Sequence, residues 1–203
     1  MKFDFVYLGQ TVLKYQVPLE IFVGLNEIYE KQKKQLPSAT KQLVGKIEDE
    51  VSLYYSGPNN DKMHQHCFLP QDILKWFHSV FDHYTDWNKI GPTQKNINSV
   101  WVNEMKANEY NPVHNHGGIF SFVIWLKVPY NREEEDETGT CNGKFELFYQ
   151  DTMGGLSAVT LPIDKSFENT MLLFPAQMHH CVYPFYTSDD YRVSIAGNFF
   201  LKS

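Results

Sequence analysis

The feature that most limits what this chain can become lies in its second half. Between Asn98 and Leu201, seven short segments rich in β-branched and aromatic residues follow one another with only polar turns between them: NSVWVNEM, FSFVIWLKV, GKFELFYQD, SAVTLPI, NTMLLFP, HCVYPF and YRVSIAGNFFL. The gaps leave no room for a helix after every strand, which a parallel sheet needs, so the segments must pair largely antiparallel. Strands this many and this close curl into a β-sandwich or barrel.

The first ninety residues have a different texture. From Val17 to Gln35 the apolar residues Ile21, Leu25, Ile28 and Tyr29 recur at the spacing of one helical face, and Pro18 suits a first turn, where its missing N–H costs nothing. A second helical pattern runs through Leu43, Val44, Ile47 and Val51, and a third begins near Gln71 and carries Ile73, Phe77, Val80, Phe81 and Tyr84. SGPNND and KIGPTQKN are turn-rich breaks. The expected architecture is mainly β with N-terminal helices, an α+β arrangement in one domain over 1–203. Residues 1–96 form a helical support layer and 97–203 the β core. The run REEEDE over 132–137 is expected to be a solvated loop tip, with a lid over a basic substrate as the lesser alternative.

Composition narrows the function. A chain of 203 residues suits one core, and 15% aromatic content points to a well-filled core or a lined pocket. A formal charge of -6 argues against a general nucleic-acid binder, which needs a basic face against phosphates. No apolar run has a membrane-spanning length, and the opening MKFDFVYLGQ, with Asp4, lacks the pattern of a secretory leader. Cys67, Cys141 and Cys181 form no metal motif and leave an odd thiol, which fits a reducing, cytoplasmic setting.

The chemistry concentrates at NPVHNHGG, where His114 and His116 sit two residues apart at the mouth of the most apolar segment. In an extended chain residues i and i+2 point to the same side, so the two imidazoles converge as metal ligation requires. A third ligand must come from elsewhere, and the other histidines of the β half are His179 and His180 in FPAQMHHCVYP. They face opposite sides if the segment is extended, so only one can reach the metal, and the flanking residues do not say which. Arg192 opens the last β segment, with Ser194 on the same face. A guanidinium and a hydroxyl together suit a carboxylate, and an arginine on an apolar strand needs a partner. The competing role is a rim ion pair with Asp189 or Asp190. Asn198 on that strand is a weaker pocket candidate, as are Trp101, Asn103, Tyr110, Trp125 and Phe148 elsewhere. A second H-x-H, His64 and His66 beside Cys67, lies in the first half without a partner pattern and is assigned ordinary packing roles.

The order H-x-H, then FP with a histidine behind it, then R-x-S near the C-terminus resembles the 2-oxoglutarate- and Fe(II)-dependent oxygenases. Within them it is most similar to the small prolyl-hydroxylase-like proteins of bacteria and phages. The likeness spans about residues 98–201. It implies a double-stranded β-helix, a jelly-roll and cupin relative. By position it makes His114 the first ligand, His116 the occupant of the usual acidic place and His180 the distal ligand, and it gives Arg192 and Ser194 to the C5 carboxylate of 2-oxoglutarate. It also implies Fe(II) and 2-oxoglutarate as cofactors, ascorbate as reductant, and hydroxylation of a small molecule or a prolyl or other peptidyl residue. The usual triad contains a carboxylate. So four arrangements stay open at His116: ligation by its imidazole, replacement by Glu104 from the preceding segment, an open position as in halogenases, or a degenerate site. The motif also has Gly117 where its relatives often carry proline.

Two alternatives remain. A cupin-type metal protein, or a three-histidine dioxygenase that does not use 2-oxoglutarate, shares the H-x-H and distal histidine. However, the cupin glutamate would fall at Phe120 or Ser121, and cupins have no set need for Arg192 and Ser194. A zinc-stabilised binding domain would need a fourth ligand, and none is evident. Partners are expected to be a small molecule, peptide or protein, with no nucleic acid and no membrane. The oligomeric state, a homodimer included, stays open.

Overall fold

The computed structural model describes residues 11–40, 44–56, 65–89 and 95–201. In chain order its elements are β1 (Leu13–Gln16), α1 (Leu19–Gln32), β2 (Asp49–Tyr55), β3 (His66–Cys67), α2 (Gln71–Trp87), β4 (Lys95–Met105), β5 (Asn111–His114) and β6 (Phe120–Lys127). Then follow α3 (Arg132–Thr138), β7 (Phe145–Gln150), β8 (Leu156–Leu161), β9 (Thr170–Pro175), β10 (His180–Val182) and β11 (Arg192–Leu201). The strands form a seven-stranded sheet in the order β1-β9-β6-β11-β4-β2-β3 and a four-stranded sheet in the order β5-β10-β7-β8. Every strand pair is antiparallel.

The strand β6 shows why the layers stack as they do. Seven of its eight residues are buried, because both faces are covered. Phe122, Ile124 and Leu126 belong to the cluster under the helices, with Leu25 of α1 and Phe77 and Phe81 of α2. Val123 and Trp125 belong to the cluster between the sheets, with Phe145, Leu147 and Phe174. A strand covered on both sides reads as one apolar run instead of an alternating one. The site lies on the inter-sheet side, and the helices cover the opposite face of the larger sheet.

All seven β segments of the second half are strands. The first half departs from a purely helical support layer. β1 pairs with β9 and β2 pairs with β4, so residues before 97 supply three strands of the larger sheet. Part of the second helical pattern is extended: Val51 lies on β2 with its backbone paired to Val102. Leu43 lies outside the described residues. The run 132–137 is also no plain loop tip, since it forms α3 and buries Glu135 completely.

Candidate metal centre

Three elements bring the histidines together. His114 ends β5 and His180 begins β10, and their Cα atoms are register partners across the smaller sheet. His116 lies just past β5, where its backbone N–H donates to Ala176 O at 2.9 Å and its carbonyl accepts from Gln177 Nε2 at 3.1 Å. The loop that delivers His180 therefore also clamps His116. One ligand-type nitrogen from each of the three lies within 4.8 Å of the others, and ring centroids are 4.3 to 5.0 Å apart. Gly118 makes the turn possible. Its φ is +101° and a Cβ there would stand 2.6 Å from Phe199 O.

The ring orientations suit ligation. His114 Nδ1 is 2.7 Å from Pro112 O and His180 Nδ1 is 3.0 Å from Met178 O. A carbonyl only accepts, so each Nδ1 carries the hydrogen and each Nε2 keeps its lone pair for a metal. Phe145 stacks on His180 at 5.6 Å and Phe174 meets its edge at 5.0 Å. Burial, and then the neighbouring imidazoles, pull His116 down to about 3; burial, and then His114, pulls His180 down to about 4. Burial also lowers His114. All three are neutral at physiological pH, the form that binds a metal.

One cavity runs from this cluster between the sheets to Arg192 and Ser194, past Trp101, Asn103, Trp125 and Phe174. Arg192 is 3% exposed, so water cannot solvate its charge, and it forms no ion pair among the described residues. Asp190, one of its expected rim partners, pairs with Lys127 at 2.6 Å instead. Neutral groups cradle the guanidinium. Nη1 donates to Tyr130 Oη at 2.9 Å and to Gly143 O at 3.2 Å, and Nη2 donates to Tyr183 O at 3.1 Å and touches Met105 Sδ. Phe185 and Tyr130 lie 5.5 and 5.9 Å from its Cζ. Ser194 Oγ accepts from Asn103 Nδ2 at 3.5 Å, and Asn103 Oδ1 accepts from Trp101 Nε1 at 3.2 Å.

A wider groove opens on the other side of His114 and His116, lined by Ser52, Tyr55, Ser99, Trp101, Asn115 and Asn198. Asn198, the weaker pocket candidate of the last strand, lines this groove and not the cavity that holds Arg192. It accepts from Ser121 Oγ at 2.7 Å and donates to Ser99 Oγ at 3.4 Å. Tyr110 and Phe148 line neither space. Glu104 is excluded as a replacement ligand, because its carboxylate takes hydrogen bonds from Tyr29 and Lys33 on the helical side of the larger sheet. His179 is exposed, so His180 is the histidine that turns inward. His66 lies on β3 with Nε2 2.7 Å from Ser52 Oγ, and His64 lies outside the described residues. Tyr130, Gly143 and Tyr183 were invisible in the sequence, because two of them act through backbone carbonyls that any residue carries.

The donor set fits the expected metal. Three neutral imidazoles suit iron or zinc, and the buried guanidinium at the far end of the cavity, with no ion pair among the described residues, fits an anionic group. Residues 99–198 match the profile of the family described as "Putative 2OG-Fe(II) oxygenase". No curated protein sequence matches the chain. Among solved structures, a Pseudomonas putida prolyl-4-hydroxylase is similar at 13% identity, covering 96% of this chain and 93% of that one with a TM-score of 0.58. A 2OG-Fe(II) oxygenase-family oxidoreductase from Burkholderia pseudomallei matches at 14% identity, 93% and 84% coverage and a TM-score of 0.58. The viral collagen prolyl hydroxylase of Paramecium Bursaria Chlorella virus-1, solved as its 2OG complex, matches at 12% identity, 93% and 94% coverage and a TM-score of 0.52. These likenesses show the fold, a double-stranded β-helix. In its profile match over residues 99–198 and in its clustered histidines, the strand-rich part of this chain is similar to the 2-oxoglutarate- and Fe(II)-dependent oxygenases.

Proposed function

We propose that this chain is a dioxygenase in which His114, His116 and His180 hold Fe(II), and Arg192 and Ser194 receive the C5 carboxylate of 2-oxoglutarate. One observation carries this reading: a buried guanidinium without a carboxylate partner among the described residues lines the same cavity as the histidine cluster. When bound, the iron and 2-oxoglutarate supply the oxidation, with O2, 2-oxoglutarate and a C–H substrate giving hydroxylated product, succinate and CO2.

The protein's part is binding and placement. The Nδ1 bonds to Pro112 O and Met178 O hold two rings with Nε2 facing inward. Trp125, Phe145 and Phe174 keep water from the cavity. Asn103 leaves the Ser194 hydroxyl hydrogen free to donate to the carboxylate beside Arg192. The outer groove is the place for the substrate. It carries aromatic, hydroxyl and amide groups and no charged side chain among its described residues, which suits a neutral polar substrate such as a peptide segment. Prolyl hydroxylation is the reading that the similar solved structures support. Ascorbate as reductant and a cytoplasmic setting complete the proposal. The three described cysteines are free, and no helix among the described residues is long and apolar enough to cross a membrane.

A cupin-type protein, or a three-histidine dioxygenase independent of 2-oxoglutarate, would account for the histidines but would leave Arg192 facing no anion. Purified protein given Fe(II), ascorbate and 2-oxoglutarate should release succinate slowly without substrate. Release that is absent with iron loaded overturns the oxygenase reading.

A further inference from the structure

We infer that α3 is a clamp that presets Arg192, with Glu135 and Arg132 as positioning residues for binding of the 2-oxoglutarate carboxylate. The inference rests on the proposed role of Arg192. The acidic run from Glu133 to Glu137 has the composition of a solvated surface, yet Glu135 is 0% exposed. Its carboxylate accepts from Tyr186 N–H at 2.9 and 3.1 Å, from Thr187 N–H at 2.7 Å and from Thr187 Oγ at 2.5 Å. A buried carboxylate is costly to keep unless donors converge on it, and here every donor comes from one loop.

That loop is the wall behind Arg192. Tyr183 gives its carbonyl to Nη2, and Phe185 stacks on Tyr130 at 4.9 Å and lies 5.5 Å from the guanidinium carbon. The opposite wall is the turn before β7, and Arg132 holds it. Its Nη2 donates to Asn142 O at 2.5 Å, one residue before Gly143, whose carbonyl accepts from both Arg192 and Tyr130. Gly143 N–H donates to Pro184 O at 2.7 Å and joins the two walls. A single short helix therefore grips both segments that supply backbone carbonyls to Arg192. Without that grip the walls move apart and the guanidinium gains alternative rotamers. Each alternative rotamer must be given up when the carboxylate binds.

The test is calorimetric titration of 2-oxoglutarate into Mn(II)-loaded protein, alongside metal stoichiometry and thermal melting. Glu135→Ala should weaken 2-oxoglutarate by about tenfold while leaving metal stoichiometry unchanged. In turnover it should raise KM for 2-oxoglutarate with kcat nearly constant. Thr187→Val removes one donor at constant shape and should weaken 2-oxoglutarate by a few-fold, which keeps the test decisive if Glu135→Ala does not fold. Glu135→Gln, which keeps one acceptor oxygen, should fall between wild type and Ala. Folded, metal-loaded Glu135→Ala and Thr187→Val proteins that bind 2-oxoglutarate as wild type does, with only a lower melting temperature, would make α3 a stability element and overturn the inference. Failure of wild type itself to bind 2-oxoglutarate would instead strike the proposed function.

Discussion

His114 and His180 stand directly opposite one another across the β5–β10 pair, and each ties its Nδ1 to the carbonyl two residues before it. The same backbone device thus orients both rings, and a ligand-type nitrogen of each lies within 4.8 Å of the other. His116 lacks that device and is placed by the bond from its backbone N–H to Ala176 O.

The difference makes His116 the informative position to change. His116→Ala should lose most of its iron while keeping the fold, because two ligands hold a metal poorly. His116→Asp should retain metal, since a carboxylate at that place restores the common triad. Metal content per chain after identical anaerobic reconstitution checks this. An Ala variant with wild-type iron would remove His116 from the ligand set.

Arg192→Leu should weaken 2-oxoglutarate by about tenfold to a hundredfold, the effect of losing a charge-assisted bond of roughly 1.5–3 kcal/mol. Iron content should stay near wild type, because the arginine reaches no ligand. Calorimetry on the metal-loaded variant reads the affinity. An unchanged affinity would place the co-substrate elsewhere.

How far these residues were legible depends on what each one answers to. The seven strands of the second half showed themselves because local pattern and tertiary burial agree there. β2 did not, because Val44, Ile47 and Val51 sit at helical spacing, while the pairing of Val51 with Val102 is a long-range contact that no local pattern records. His180 could not be told from His179 by the residues alone. The turn over Ala176 to Met178 and the stacking of Phe145 turn one ring in and leave the other in water. Glu104 looked available as a ligand until the face of β4 it occupies was known. Glu135 looked solvated because its neighbours are, and its partners lie some fifty residues away in the chain.

Glu50 offers a test of pH dependence. It is 4% exposed, its Oε1 has no hydrogen-bond partner, and it lies on β2 opposite Asn103. Burial, and then the charge of Glu109, push its carboxyl up to about 7. An unfolded chain ionises it near pH ~4.3. Ionisation is therefore disfavoured in the fold, and wild type loses stability from this group as pH rises from about 4.3 to about 7. Glu50→Gln should be more stable than wild type at pH 8 by about 1–2 kcal/mol and nearly equal at pH 5. Denaturant melts at both values measure it, and a gain that is the same at both would contradict the assignment.

Gly118→Ala should destabilise the fold by about 1–3 kcal/mol, since its φ of +101° is left-handed and the new Cβ would press on Phe199 O. The turn carries His116, so metal affinity should fall with it. Melting and iron titration together check this, and a variant that matches wild type in both would show that the turn relaxes freely.

The most direct measurement is anaerobic calorimetry of 2-oxoglutarate binding with and without Fe(II). One 2-oxoglutarate should bind per chain in the iron-loaded protein, and the binding should be strongly weakened when the metal is removed and in Arg192→Leu. Iron-loaded protein that binds no 2-oxoglutarate, or binds it equally well without metal and without Arg192, would contradict a site in which three histidines and a buried arginine share one co-substrate.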